Sequence, residues 1–168
     1  MTDTPQSSGA ARARDRAEGA NPAGLPADRP ASDESASGKQ PIRVMIVVDD
    51  HESVRGVAGA LLAAPDIEVV GEADDGLQAI SRAGQLLPDV IVMDSRVGVV
   101  GGVEATRLIT VAFPSTRVVG LSAGGDARAA PAMLGAGAAA CLARTAPGEE
   151  VLAAVRSCAP ARPERGAR

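Results

Sequence analysis

Five short apolar runs alternate with five helix-length amphipathic runs over residues 42–158, and this alternation constrains the fold more than any other feature. The short runs are rich in β-branched residues, which favour strands. Proline and glycine fall at the joins, where turns and helix ends require them. A regular alternation of strand and helix is typical of an open, doubly wound sheet of parallel strands. The sequence therefore predicts an α/β fold with a five-stranded parallel sheet.

The predicted strands cover residues 42–48, 67–71, 90–93, 117–121 and 138–142. The predicted helices cover residues 53–63, 77–87, 103–111, about 126–134, and 149–158. The first, third and fourth strands are nearly continuous apolar runs, as expected where helices cover both faces of a sheet. Pro131 would remove a hydrogen bond from a fourth helix that began near Asp126, so a start at Pro131 itself is the alternative.

The whole chain has 168 residues, and its composition indicates one domain with a tail at each end. Residues 1–41 are rich in proline and small polar residues and are predicted to be a disordered tail. Residues 159–168 are predicted to be a frayed C-terminal tail. The net charge of −4 gives no strong field toward nucleic acid or lipid, and no apolar run approaches the roughly 20 residues of a membrane span. Two cysteines give no disulfide framework, which favours a reducing cytoplasm.

Carboxylates follow two of the predicted strands at the points where those strands end. Asp49 and Asp50 come directly after the first strand, and Asp94 follows the third. In an open α/β sheet, ligands bind beyond the carboxyl ends of the strands. A single aspartate there is more often a cap or turn residue, but three at matched strand ends favour a Mg²⁺ site that assists phosphoryl chemistry.

Two further side chains fall at the ends of the fourth and fifth strands. Ser122 could donate to a phosphoryl group on Asp94, or it could cap the next helix. Arg144 could supply a cation to the same group, although a lone arginine is more often an unremarkable surface residue. We interpret His51, next to the acid pair, as a helix-entry residue rather than a metal ligand.

Three segments, taken in order, carry a resemblance to a known family. Residues 42–51 read IRVMIVVDDH, residues 65–73 read PDIEVVGEA and precede Asp75 and Gly76, and residues 88–94 read PDVIVMD. These segments resemble the receiver domain of bacterial two-component response regulators of the NarL/FixJ type. The resemblance covers about residues 42–158 and implies the flavodoxin-like receiver fold.

The resemblance implies a role for each candidate residue. Asp94 would be the phosphoacceptor, and Asp49 and Asp50 would hold Mg²⁺ together with it. Ser122 would turn toward the phosphoryl group. A sensor histidine kinase would supply the phosphate from a histidine, and a downstream protein partner would receive the signal. The domain would assist its own phosphorylation without being an enzyme.

The sequence also departs from the family at three positions near the predicted site. Arg144 stands where the family has a lysine, and the only lysine of the chain is Lys39. Cys141 stands where an aromatic residue is usual, so an inward ring rotation is unavailable. Gly98 stands where proline is common, which predicts a more mobile loop after Asp94.

Two other functions remain open at this point. One is a degenerate, phosphorylation-independent receiver-like module that docks a partner. The other is a Mg²⁺-dependent hydrolase, which is disfavoured because Arg96 stands where a second acid would be needed. No helix-turn-helix segment follows the fifth helix, so direct DNA binding is not expected. The aliphatic faces of the first, fourth and fifth helices are compatible with a homodimer.

Overall fold

The computed structural model describes residues 40–50, 52 and 54–161. In this part of the chain the strands are β1 (Ile42–Val47), β2 (Ile67–Ala73), β3 (Val90–Asp94), β4 (Arg117–Ser122) and β5 (Ala140–Ala143). The helices are α1 (Arg55–Ala63), α2 (Gly76–Leu86), α3 (Gly102–Ala112), α4 (Ala129–Gly135) and α5 (Gly148–Cys158). The predicted α/β alternation is confirmed.

The five strands form one parallel sheet in the order β2-β1-β3-β4-β5. Strands β1 and β3 are direct neighbours, with Val47 beside Met93 in the register. The residues that follow β1 therefore lie next to the end of β3. This arrangement is the one that the carboxylate positions required, because it brings two acid-bearing strand ends together at one edge of the sheet.

Alternating side chains of the central strands form two hydrophobic cores, one on each face of the sheet. Val44 and Ile46 of β1 belong to the cluster that contains residues of α1 and α5. Met45 and Val47 belong to the cluster with α2, α3 and α4. This division follows from the two-residue period of a strand. It also explains the continuous apolar runs, because both faces are covered.

Most strand ends differ from their predicted bounds by one or two residues. Strand β3 ends at Asp94 and β4 ends at Ser122, so both site residues are the last residues of their strands rather than the first of the loops. Strand β5 begins at Ala140, two residues later than predicted. The reason is local, because the Ala138 amide donates to the Met133 carbonyl at the end of α4 (3.0 Å).

Helix α4 has only seven residues and begins at Ala129, so neither predicted start, at Asp126 or at Pro131, was correct. Pro131 is its third residue. The Ala132 amide donates to the Arg128 carbonyl (3.0 Å), one residue after the proline. Pro131 therefore lies in the first turn, where backbone N–H groups have no partner within the helix. The proline is therefore compatible with the helix as it stands.

The predicted disordered segment falls almost entirely outside the described residues, as do His51, Ser53 and residues 162–168. Of the helices that the structure describes, none is long and apolar enough to cross a membrane.

Candidate functional site

Asp94 lies at the carboxyl end of β3 and is fully buried. One carboxylate oxygen, Oδ1, accepts a hydrogen bond from the Arg96 amide (2.9 Å). The next residue, Ser95, donates its amide to the Leu121 carbonyl of β4 (2.9 Å). The backbone on both sides of the carboxylate is thus fixed by the sheet. Burial of an ionised carboxylate is costly unless a cation or several donors compensate it.

The second oxygen of Asp94 is paired with Arg144. A terminal nitrogen of the guanidinium, Nη2, contacts Asp94 Oδ2, and the same nitrogen lies 3.6 Å from Asp49 Oδ1. The arginine side chain is only 13 % exposed, against 44 % for Asp49. One cation therefore lies between two carboxylates that come from different strand ends. We call Asp49, Asp94, Ser122 and Arg144 the Asp94 site.

The backbone of Arg144 is tied to β4 directly beside the site. Its amide donates to the Ser122 carbonyl (2.8 Å), one residue beyond the last paired residue of β5. The arginine therefore starts from a fixed point at the edge of the sheet. Its long side chain crosses the end of β4 to reach Asp94 on β3. The sequence predicted that Arg144 lies near Asp94, and the structure brings the two into contact.

The three predicted carboxylates are only partly brought together. Asp49 and Asp94 share Arg144, whereas Asp50 Oδ1 accepts a hydrogen bond from the Glu52 amide (3.0 Å). That contact is the local turn bond that a short acidic side chain commonly makes. Among the described residues, no group of three or more His, Cys, Asp or Glu side chains is placed to hold a metal. The arrangement is thus two carboxylates with an arginine between them.

Ser122 is the last residue of β4, and its hydroxyl donates to the Leu142 carbonyl of β5 (3.2 Å). It does not cap α4, because Arg128 occupies that position. The neighbouring Cys141 thiol has its pKa raised by burial, and its hydrogen bond with Ser122 opposes this effect. In this structure the serine hydroxyl is directed to β5 and not to Asp94.

The loop after Asp94 is closely packed at two positions, and its greater mobility stays a prediction. Val97 is fully buried, and Gly98 has a φ of +41°. A Cβ at Gly98 would lie 2.4 Å from the Cβ of Asp75. Proline, with φ fixed near −65°, cannot adopt this conformation. Glycine at this position is therefore a requirement of the backbone path, whereas the sequence showed only a departure from the family's usual proline.

Two buried polar atoms close to Asp94 in the chain or in space have no hydrogen-bond partner among the residues that the structure describes. They are Ser95 Oγ and Arg144 Nε. Sequence reasoning did not single out Ser95, because a serine in a loop is ordinarily solvated. Arg144 Nε has no acceptor because the guanidinium approaches the carboxylates through Nη2. The arginine is therefore held by one end of its fork rather than by a bidentate contact.

Comparison with known proteins identifies the domain. The family model for the response regulator receiver domain matches residues 45–156. The transcriptional regulatory protein LiaR of Bacillus subtilis (strain 168) is 38 % identical over 124 residues, which are 73 % of this chain and 58 % of LiaR. The response regulator GacA of Pseudomonas viridiflava is 37 % identical over 116 residues, which are 68 % of this chain and 54 % of GacA. The chain thus spans just over half the length of these curated relatives.

A solved structure agrees with the sequence relatives. The signal receiver domain of the putative response regulator NarL from Mycobacterium tuberculosis superposes with a TM-score of 0.67 at 31 % identity, over 71 % of this chain and 97 % of that domain. The resemblance drawn from the sequence motifs is confirmed. The matched region includes every strand end that forms the Asp94 site. The chain belongs to the response regulator receiver domain family of two-component signal transduction.

Proposed function

We propose that this domain accepts a phosphoryl group on Asp94 and signals through a protein partner. The observation that carries the proposal is the burial of Asp94 at the carboxyl end of β3 with Arg144 in contact. An ionised carboxylate held in that position costs stability unless it is compensated. A costly charge at the ligand-binding edge of an open sheet favours a functional role over a structural one.

The proposed reaction is a direct transfer to the carboxylate. An oxygen of Asp94 attacks phosphorus and forms the P–O bond of an acyl phosphate. The bond from phosphorus to the donor breaks, and the donor leaves with its electron pair. Arg144 contacts Asp94 in this structure, so its guanidinium is within reach of negative charge that develops on the transferring group. Backbone donation from Arg96 orients the other oxygen.

The donor set of the site is compatible with Mg²⁺. Carboxylate oxygens are the ligands this ion prefers, and Asp49 and Asp94 flank a spot where one cationic nitrogen already lies. Asp50 follows Asp49 directly and would complete the set after giving up its turn bond to Glu52. When bound, Mg²⁺ would compensate negative charge on the phosphoryl oxygens. The three aspartates are therefore the proposed metal ligands.

Ser122 would respond to the phosphoryl group by leaving its present acceptor. Its hydroxyl is bonded to a β5 carbonyl at 3.2 Å, which is long for a hydroxyl donor. Rotation about one side-chain bond would redirect the hydroxyl without moving either strand. The aromatic switch of the family is absent, because Cys141 occupies that position. We infer that rearrangement of Ser122 and of the loops beyond the sheet would transmit the signal.

Family membership supports a sensor histidine kinase as the donor of the phosphoryl group and a cytoplasmic location. The domain would act as an acceptor rather than as a hydrolase. The second position after Asp94 holds Arg96, which is exposed and supplies only its backbone amide to the acceptor. An arginine there cannot serve as the general acid that a hydrolase of this type would need.

The proposal is tested by intact mass after incubation with acetyl phosphate and Mg²⁺. The unmodified chain is expected to gain one phosphoryl group, and Asp94→Asn is expected to gain none. Asp89→Asn is the matched control, because Asp89 precedes the same strand at its opposite end. This control should be phosphorylated like the unmodified chain. An adduct of equal yield on Asp94→Asn would contradict the proposal.

A further inference from the structure

The proposed metal would lie next to a cation of the chain itself, the guanidinium of Arg144. Nη2 of Arg144 contacts Asp94 and lies 3.6 Å from Asp49. These are two of the three carboxylates assigned to Mg²⁺ above. A divalent ion that used the same oxygens would meet the guanidinium at short range. Like charges at such a separation repel strongly where the surroundings are largely buried.

The arginine is held in a way that permits displacement. Its fork approaches the carboxylates through one nitrogen, and its buried Nε has no acceptor in the described part of the chain. Its backbone is fixed by the bond from its amide to the Ser122 carbonyl (2.8 Å). Movement of the guanidinium would therefore be a rotation of the side chain, with the end of β5 unchanged.

We propose that Arg144 is an internal counter-ion that competes with Mg²⁺ for the carboxylates of Asp94 and Asp49. The inference rests on the proposed phosphoacceptor function. In the metal-free chain the arginine compensates the buried charge of Asp94. Metal binding must break that ion pair, so the free energy of the pair is subtracted from the affinity for Mg²⁺. Arg144 is thus a positioning residue. Its competition with the metal sets the Mg²⁺ concentration at which the metal occupies the site.

The test measures Mg²⁺ binding by isothermal titration calorimetry, with no phosphodonor present. Arg144→Gln removes the charge and keeps a side chain of comparable polarity. This variant is expected to bind Mg²⁺ at least about tenfold more tightly than the unmodified chain. Arg107→Gln is the matched control, because Arg107 is an exposed arginine paired with Glu104 on α3. Its affinity for Mg²⁺ should equal that of the unmodified chain.

The possible results separate the two proposals. Equal Mg²⁺ affinity in Arg144→Gln and the unmodified chain would overturn the competition and leave the phosphoacceptor proposal standing. Absence of Mg²⁺ binding from both proteins would overturn the metal site as well. Should Arg144→Gln unfold without metal, its refolding on addition of Mg²⁺ would support the competition. Failure to refold at saturating Mg²⁺ would contradict it.

A second measurement uses the unmodified chain and does not depend on a stable variant. The side-chain Nε–H signal of Arg144 is followed by nitrogen NMR during a Mg²⁺ titration. Competition predicts that this signal shifts in step with metal binding, while the Arg107 signal stays unchanged. Saturable Mg²⁺ binding with a stationary Arg144 signal would show that the guanidinium keeps its place, which would contradict the proposal.

Discussion

The guanidinium of Arg144, at the end of β5, contacts the buried carboxylate of Asp94, at the end of β3, across the intervening strand β4. The two residues are 50 positions apart in the sequence. Their contact matters for the stability of the fold as well as for the site, because it compensates the charge of a carboxylate that the sheet has removed from water. The same contact determines what else can bind that carboxylate.

Removal of the arginine charge should cost stability when no divalent ion is present. Arg144→Gln leaves the buried Asp94 carboxylate without its cation and with the hydrogen bond from the Arg96 amide, and we expect a loss of about 3–5 kcal/mol in the free energy of unfolding. Urea denaturation in the presence of EDTA measures this loss in the free energy of unfolding. The double variant with Asp94→Asn should recover most of the loss, since the unpaired charge is gone. Equal stability of the single and double variants would contradict this account.

Gly98 should tolerate no side chain. Alanine at Gly98 must adopt a positive φ and places its Cβ against Asp75, so Gly98→Ala is expected to destabilise the domain by about 2–4 kcal/mol. Gly124→Ala is the control, because a Cβ at Gly124 meets nothing within 4 Å. Its effect should stay within about 0.5 kcal/mol. Thermal unfolding compares the two variants, and equal melting temperatures would refute the packing role of Gly98.

Pro131 should contribute little to the stability of α4. It lies before the first backbone bond of the helix, so Pro131→Ala restores no lost hydrogen bond and should change the free energy of unfolding by less than about 1 kcal/mol. Proline inside a full-length helix should behave differently. Ala153→Pro, at an exposed position within α5, is expected to cost about 3 kcal/mol or more. Similar losses of stability in both variants would contradict the placement of Pro131 in the first turn of α4.

The ion pair of Asp66 and Arg156 should give a pH-dependent contribution to stability. The Arg156 guanidinium donates two hydrogen bonds of 2.7 Å to Asp66 and lowers the pKa of that carboxyl below its ordinary value. A lowered folded-state pKa means that the contribution is complete above the unfolded pKa and is lost as the pH falls through the folded value. Asp66→Asn should therefore be slightly less stable than the unmodified chain at pH 7.

The difference between these two proteins should shrink below about pH 4 and disappear once Asp66 is protonated in both states. Urea midpoints measured between pH 2 and pH 7 provide the comparison. Because both partners are about half exposed, the effect at pH 7 should be small and weakened by salt. A difference that grew as the pH fell would carry the wrong sign and would contradict the assignment.

The sheet was predictable from the sequence because each strand carries its own signal. Continuous apolar runs around Val44 and Val92 identify strands covered on both faces, and the structure places them in the centre of the sheet. Asp49 and Asp94 were predictable site residues for the same reason, since a strand end is a local feature. Their proximity depended on β1 and β3 being neighbours, which the structure shows.

The details of the site were less predictable because they depend on contacts between distant segments. The position of Arg144 could be read from the sequence, but its place between two carboxylates depends on the reach of its side chain across β4. Asp50 accepts its turn bond from the Glu52 amide, and Ser122 donates to a carbonyl of β5; each bond is a choice among nearby partners. The need for glycine at Gly98 arises from its approach to Asp75, which no local pattern encodes.

The most direct test of the central claim is to identify the residue that carries the phosphoryl group. The domain is treated with acetyl phosphate and Mg²⁺ and then with borohydride, which reduces the acyl phosphate of an aspartate to homoserine. Peptide sequencing by mass spectrometry then locates the changed residue. The account predicts homoserine at position 94 and nowhere else. Homoserine at another aspartate, or a borohydride-resistant phosphate on Ser122, would contradict it.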